Sequence, residues 1–284
     1  MTLLDKLYNI YRAAVKKLAA AGCEDAEFDA RQLVEYALGY NKTQLLLKSG
    51  ELIDDARTIL FDDCVERRCK REPLQYILGS WGFNRFSFKV GEGVLIPRPE
   101  TELLPEFAID LMRKKPCAVV YDLCCGSGCI GITVAKLFPT VRVFCIDYSD
   151  KAIEYTEKNR ELLMADNVTV VKADVFDALA CPSLPRPDLI LSNPPYIPTA
   201  ELEGLQPEVH FEPDMALDGG SDGLDFYRAI ADNWFMFISK GGYLAVECGE
   251  NQAHDILELF LEKADGAKLI KDGAGIDRVV VIKR

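Results

Sequence analysis

The chain has 284 residues, 49% of them hydrophobic and 10% aromatic, and 33 Lys and Arg face 45 Asp and Glu for a formal charge of −12. The apolar share supplies a packed core and excludes a mainly disordered chain. The acid excess argues against a broad electrostatic grip on nucleic acid, which depends on Lys and Arg displacing condensed counterions.

The length suggests about two domains at roughly 100–200 residues each. No apolar run approaches the ~18–20 residues of a membrane span, and the first residues scatter Asp5, Lys6, Arg12, Lys16 and Lys17 where a signal peptide would be apolar. The ten cysteines (Cys23, Cys64, Cys69, Cys117, Cys124, Cys125, Cys129, Cys145, Cys181, Cys248) form no C-x-x-C pair, and His210 and His254 are the only histidines. That leaves no ligand set for a metal and points to a reducing, cytoplasmic compartment with thiols serving as small apolar side chains.

Residues 1–80 read as a helical domain. Thr2 caps a run with apolar residues at Leu3, Leu7, Ile10, Tyr11, Ala14 and Leu18, and Gly22 ends it. The same period returns at 28–38 before Gly39, a short piece opens at Thr43, and 54–70 forms another helix before Pro73. Arg67, Arg68, Lys70 and Arg71 form a basic run, readable as a solvated helix end or as a docking point for an acidic protein. From Trp81 the period shortens through Phe83, Phe86, Phe88 and Val90, with Gly91 and Gly93 as turn points, so 81–97 is expected to be a β-hairpin linker.

The remainder, 98–284, alternates. Apolar runs at 118–123, 142–147, 168–172, 188–192, 243–247 and 278–282 read as strands, and 128–138, 150–164, 224–238 and 253–264 carry helical patterns between most of them. This alternation predicts an α/β, doubly wound, mostly parallel sheet that binds ligands at the carboxyl ends of its strands. The charge divides along the same line: 1–85 hold 13 basic and 13 acidic residues, 86–284 hold 20 and 32.

Two motifs carry chemistry. Asp122-Leu123-Cys124-Cys125-Gly126-Ser127-Gly128-Cys129-Ile130-Gly131 follows the first sheet strand and opens a helix, and Asp147 closes the next strand. Gly126, Gly128 and Gly131 satisfy G-x-G-x-x-G, and Asp147 is placed to accept a ribose diol. A dinucleotide would set its pyrophosphate on the helix N-terminus, whereas Asp122 suits the ammonium or sulfonium of S-adenosylmethionine better. The second motif, Asn193-Pro194-Pro195-Tyr196, ends the fourth strand. The Asn193 amide oxygen and the Pro194 carbonyl offer two acceptors to an NH2 group, both prolines stiffen the backbone, and Tyr196 offers a flat face for a planar amide or base.

These motifs resemble the class I, S-adenosylmethionine-dependent amino-group methyltransferases of Rossmann-like fold. Residues 73–79 (PLQYILG), 96–102 (IPRPETE), Phe211-Glu212-Pro213, Ala216 to Gly220 and Asp277-Arg278-Val279 narrow the resemblance to the peptide chain release factor glutamine methyltransferases, the PrmC/HemK family, over essentially the full length. The resemblance implies a seven-stranded sheet and an N-terminal domain that recognises the substrate. It also implies methyl transfer to the side-chain amide nitrogen, N5, of the glutamine in the Gly-Gly-Gln motif of release factors. Catalysis would fall to Asn193, Pro194, Pro195 and Tyr196. Cofactor binding would fall to Cys124, Cys125, Gly126, Ser127, Gly128, Asp147 and Asn193, with Asp174 and Val175 at the adenine. Cys124 and Cys125 depart from the family's usual D-x-G-T-G-S-G loop.

Three other readings remain open on the residues alone. A nucleic-acid methyltransferase acting on adenine N6, cytosine N4 or guanine N2 would use the same tetrapeptide but would want a basic channel. A nicotinamide-dependent oxidoreductase would use the glycine loop and Asp147 but leaves Asn193 to Tyr196 unexplained, and a noncatalytic translation-associated module would bind cofactor without transfer. Glu247, His254 and His210 are the side chains available as bases, and Arg98 and Glu100 either pair over the site or cap the next helix.

Overall fold

The computed structural model describes residues 6–116, 118–177 and 184–284. Thr2 and Leu3, expected at the first helix, and Cys117 and Cys181 lie outside them. The chain divides into two compact units, Met1–Gly79 with Gln206–Phe211, and Ser80–Leu205 with Glu212–Arg284. No helix among the described residues is long and apolar enough to cross a membrane.

The first unit is helical. α1 (Leu7–Ala20) buries Leu7, Ile10, Tyr11, Ala14 and Leu18, the stripe its sequence period lays on one face. α2 (Ala26–Leu33) starts where the Asp25 carboxylate accepts from the Phe28 N–H, and it runs on as a π-helical turn to Gly39 in left-handed geometry. α3 (Lys42–Leu47) begins one residue before the expected Thr43, because Asn41 and Gln44 cap each other's backbone reciprocally. α4 (Asp55–Cys69) is capped by Asp54, and α5 (Leu74–Leu78) follows Pro73. α5 has too few residues to show a period, so the sequence did not reveal it.

Within the basic run at the end of α4, Arg68 and Arg71 turn inward. Arg67 pairs with Glu72, Arg68 reaches Asp29 at 2.7 Å and Glu208 at 2.9 Å, and Arg71 reaches Glu208 at 2.7 Å. Arg68 is only 7% exposed. Arg68 and Arg71 hold the Gln206–Phe211 segment inside the first unit through Glu208, whereas Arg67 pairs with Glu72 nearer the surface and Lys70 is exposed.

The second unit opens with the hairpin β1 (Ser80–Phe83) and β2 (Phe86–Lys89). Its turn is Asn84-Arg85, with Phe83 opposite Phe86 and Asn84 at φ 54°, so Gly91 and Gly93 lie beyond the hairpin. Seven strands follow: β3 (Val119–Leu123), β4 (Arg142–Asp147), β5 (Val168–Lys172), β6 (Leu189–Ser192), β7 (Tyr243–Glu247), β8 (Gly266–Lys271) and β9 (Asp277–Lys283), in spatial order β5-β4-β3-β6-β7-β9-β8. β3 to β7 pair in parallel, and β9 and β8 complete the sheet antiparallel. β8 is a strand the sequence pattern missed, because as an edge it is mostly exposed and alternates poorly.

Helices α6 (Leu103–Lys114), α7 (Cys129–Leu137), α8 (Asp150–Leu162), α9 (Asp225–Ala229) and α10 (Ala253–Glu258) connect the strands. The 224–238 pattern is not one helix: α9 passes into a π-helical turn at Ile230–Trp234 and a 3-10 turn at Phe235–Phe237. Strand alternation splits the core in two. Val120, Val143, Leu189 and Ala245 pack with α6, α7, Phe83 and Phe88, while Tyr121, Phe144, Ile190 and Leu244 pack with Tyr227, Trp234, Phe235 and Phe260.

Candidate active site

The chain winds from β3 through β4 to β5 on one side, then crosses to β6 and β7 on the other. The carboxyl ends of β3 and β6 therefore flank the topological switch point, where two connections diverge and leave a crevice. Ser192 ties the two ends together, its hydroxyl donating to the Leu123 carbonyl at 2.8 Å. The glycine loop and Asn193 to Tyr196 emerge side by side.

The loop turns sharply. Cys124 has φ 56° although it is not glycine, and Gly128 at φ 77° turns the chain into α7. A Cβ on Gly131 would sit 2.6 Å from Cys145 Sγ, so α7 lies against β4 at a distance only glycine permits. The Gly131 N–H donates to Asp122 Oδ2 at 2.8 Å, while Asp122 Oδ1 is buried without a partner. Burial pushes the Asp122 carboxyl up to about 8. Asp122 is thus sealed beneath the loop and bonded to the helix, not turned toward a cation in the crevice.

A cavity of about 390 Å³ opens above this junction, within the ~300–1,000 Å³ usual for small-ligand sites. Cys124, Gly126, Asp147, Asp174, Val175, Asn193 and Pro195 line it. Cys125 and Ser127 are buried behind the loop, Pro194 is buried in the strand end, and Gly128 and Tyr196 are also set back from the wall. Asp147 accepts from the Gly126 and Ser149 N–H groups at 2.9 Å each. Burial raises its pKa against the pull of those N–H groups. Burial also keeps the Cys124 thiol protonated.

Phe176 and Phe226 were not singled out from the sequence. They meet edge to face at 4.9 Å on the cavity wall. Behind them the Trp234 indole donates to the Val175 carbonyl at 2.8 Å and the Asn233 amide to Phe176 O at 3.1 Å, fixing the backbone after β5. No Lys, Arg or His is among the residues lining the cavity. A pyrophosphate would find no countercharge there, whereas a cationic sulfonium nucleoside fits an apolar wall bearing Asp147 and Asp174.

Asn193 donates its Nδ2 to Thr101 Oγ1 at 3.2 Å, and its Oδ1 is buried with no partner. An unpaired buried acceptor costs about 1–3 kcal/mol, a cost that a donor reaching this oxygen would relieve. Tyr196 is anchored through its backbone, its carbonyl accepting from Gln252 at 2.9 Å. The Ala216 to Gly220 segment pairs with the next residue: Ile197 N–H donates to Leu217 O, and Gly219 N–H to Ile197 O, both at 2.9 Å. Arg98 pairs with the buried Glu212, which also accepts from Ile96 N–H at 2.8 Å, so Glu100 is not its partner. Residues 96–102 and 211–213, which looked unrelated in sequence, meet through this carboxylate.

Of the possible bases, His210 and His254 are exposed and do not line the cavity. Glu247, at the end of β7, is 1% exposed with Oε2 unpartnered. Burial raises it to about 7 while Thr101 and Arg278 pull it down. Thr101 itself, 2% exposed, had no signal in the sequence beyond its place after two prolines.

Two family models match, the PrmC N-terminal domain over residues 9–79 and the methyltransferase small domain over 103–204. A release factor glutamine methyltransferase of Geobacter sulfurreducens is 42% identical over 265 residues, covering 93% of this chain and 91% of its own. One of Thermodesulfovibrio yellowstonii is 38% identical over 266 residues, covering 90% and 92%. Among solved structures, the hMettl16 catalytic domain in complex with the MAT2A 3'UTR hairpin 6 superposes with a TM-score of 0.56 at 13% identity over 81% of this chain and 82% of that one, a likeness of fold alone.

Proposed function

The chain belongs to the family of release factor glutamine methyltransferases, and from that premise we propose that it methylates N5 of the glutamine in the Gly-Gly-Gln motif of peptide chain release factors. S-adenosylmethionine is the methyl donor and supplies an electrophilic methyl on a sulfonium. Asp147 takes the ribose diol, Asp174 and Val175 with the Phe176–Phe226 pair take the adenine, and Cys124 and Gly126 of the loop face the amino-acid end.

A primary amide nitrogen is a poor nucleophile, since its lone pair is delocalised into the carbonyl. Asn193 Oδ1 and the Pro194 carbonyl accept its two N–H groups, Pro195 stiffens the turn, and Tyr196 supplies a flat face for the amide plane. Holding the nitrogen in line is worth several kcal/mol, up to roughly 7–11 in the best intramolecular models. The observation that carries this reading is the buried, unpaired Asn193 Oδ1 beside the cavity.

The helical unit is the reader of the release factor. In support, it matches the PrmC N-terminal domain and exposes Leu46, Leu47, Leu52 and Ile59. The unpaired thiols of Cys23, Cys64, Cys125, Cys129, Cys145 and Cys248 suit the reducing cytoplasm, where release factors work.

The test is incubation with labelled S-adenosylmethionine and a purified release factor, followed by mapping of the methylated peptide. Label on the glutamine is expected, and label on nucleic acid alone would overturn the reading. Asn193→Ala is expected to lower transfer about 100-fold with cofactor binding retained. A loss within about threefold would sink the acceptor role.

A further inference from the structure

The turn that follows β6 cannot anchor itself. Pro194 and Pro195 have no N–H, so between Asn193 and Tyr196 the backbone offers carbonyls and no donor, and the turn must be held from its two ends. Upstream, Ser192 is tied to the Leu123 carbonyl and the Asn193 amide to Thr101. Downstream, the Gln252 side chain donates from Nε2 to the Tyr196 carbonyl at 2.9 Å and to the Gly223 carbonyl at 3.4 Å, while its Oε1 accepts from the Gly249 N–H at 2.9 Å. These partners admit one orientation of the amide. Turned over, the oxygen would face two carbonyls and the NH2 group would face an N–H.

Gln252 stands at the start of α10, on a loop that is itself pinned. The Cys248 N–H donates to Arg278 O at 2.9 Å, Arg278 Nη1 donates to Cys248 O at 3.2 Å, and the buried Tyr227 hydroxyl donates to Glu247 O at 2.7 Å. The backbone also closes around the contact. A Cβ on Gly249 would stand 2.8 Å from Gln252 Oε1, one on Gly219 would stand 2.8 Å from Tyr196 Cα, and one on Gly223 would collide with the Tyr196 carbonyl and Gln252 Nε2. We propose that Gln252 is a positioning residue for methyl transfer: by holding the Tyr196 carbonyl it fixes the direction of the Pro194 carbonyl and of the Tyr196 ring toward the acceptor amide. This rests on the reading that Asn193 and Pro194 accept from the substrate nitrogen. Gln252 does not line the cofactor cavity, so its loss falls on the acceptor side of the reaction.

The experiment uses the full chain with Gln252→Leu and Gln252→Glu at pH 8. Gln252→Glu keeps the length and the acceptor for Gly249 but sets an oxygen against the two carbonyls. With S-adenosylmethionine and a purified release factor, each variant is expected to lose about 10- to 100-fold in kcat, the scale of a misplacement of about 1 Å, with the KM for the release factor within about threefold and the cofactor Kd within about twofold. A second readout needs no substrate. The N–H groups of Ile197, Thr199 and Gly219 pair with the carbonyls of Leu217, Gly220 and Ile197. In hydrogen–deuterium exchange these three are expected to exchange about tenfold faster in the variants, with β3 to β5 exchanging as in the parent.

A kcat within about threefold of the parent in either variant, or unchanged exchange at those N–H groups, would overturn the positioning role. So would a kcat loss matched by an equal rise in cofactor Kd, the mark of a site loosened throughout. A parent that methylates no release factor, while the variants speed exchange at those groups and leave β3 to β5 as they were, would count against the substrate assignment and support the hold of Gln252 on the turn.

Discussion

Cys124 holds the left-handed backbone of the glycine loop without glycine's freedom. For an L-residue that geometry costs about 1–2 kcal/mol, tolerable for a small side chain and worse for a branched one. Cys124→Val is therefore expected to lower the urea-derived stability by about 2 kcal/mol, and Cys124→Gly to stay within about 1 kcal/mol of the parent. Glu247 makes a residue-scale prediction of its own. Its folded pKa of about 7 lies above the ordinary 4.5, so the unfolded chain ionises first and this group subtracts stability as pH rises from about 4.5 to 7. Glu247→Gln should thus be the more stable protein at pH 8, by on the order of 3 kcal/mol, with the gain fading toward pH 4.5. Parallel denaturation curves at the two pH values check it.

At the scale of elements, the site depends on how closely α7 approaches β3 and β4. Gly131 is the contact point, with Cys145 and Asp122 on the strands within 3.0 Å of where a Cβ would stand. Gly131→Ala is expected to cost about 1–3 kcal/mol by overpacking and to weaken cofactor binding, because the loop before α7 moves with it. Adding Cys145→Ala removes the nearest obstacle and should recover part of the loss in a double-mutant cycle, whereas strict additivity would show the strain lies elsewhere. The elements that escaped the sequence share a physical cause. α5 is a single short helix, β8 is an exposed edge, and the 224–238 helix breaks at a π-helical turn whose Asn233 and Trp234 hold the backbone after β5. Periodicity reports a buried face, and these pieces either lack one or bend it.

For the whole molecule, the charge of −12 resolves into a balanced N-terminal part and an acidic remainder. Of the basic run that stood out in the balanced part, Arg68 and Arg71 are spent on Glu208. The Glu208 carboxylate opposes its own burial because Arg71 and Arg68 together outweigh it, bringing the group to about 2. A depressed folded pKa stabilises above the unfolded value near 4.5 and loses that stabilisation as pH falls toward 2. Glu208→Gln is expected to cost about 1–2 kcal/mol at pH 7, after allowance for solvent screening, and almost nothing near pH 2. Circular dichroism of the full chain under urea at the two pH values distinguishes these outcomes.

The sequence by itself determined the alternation of strands and helices, a helical first part ahead of an α/β remainder, and the place of the glycine loop and of Asn193-Pro194-Pro195-Tyr196 at strand ends. Each of these is local: a period of two or 3.6, a glycine where the chain must turn, a stiff Pro-Pro turn leaving a strand. Only the tertiary structure decided that Asp122 is sealed under α7, that Arg98 answers to Glu212, that Arg68 and Arg71 close on Glu208, and that Thr101 accepts from the Asn193 amide. Those contacts join residues far apart in the chain, and burial sets both their partners and their protonation. No spacing rule carries that information, because the dielectric around a carboxyl is a property of everything packed against it.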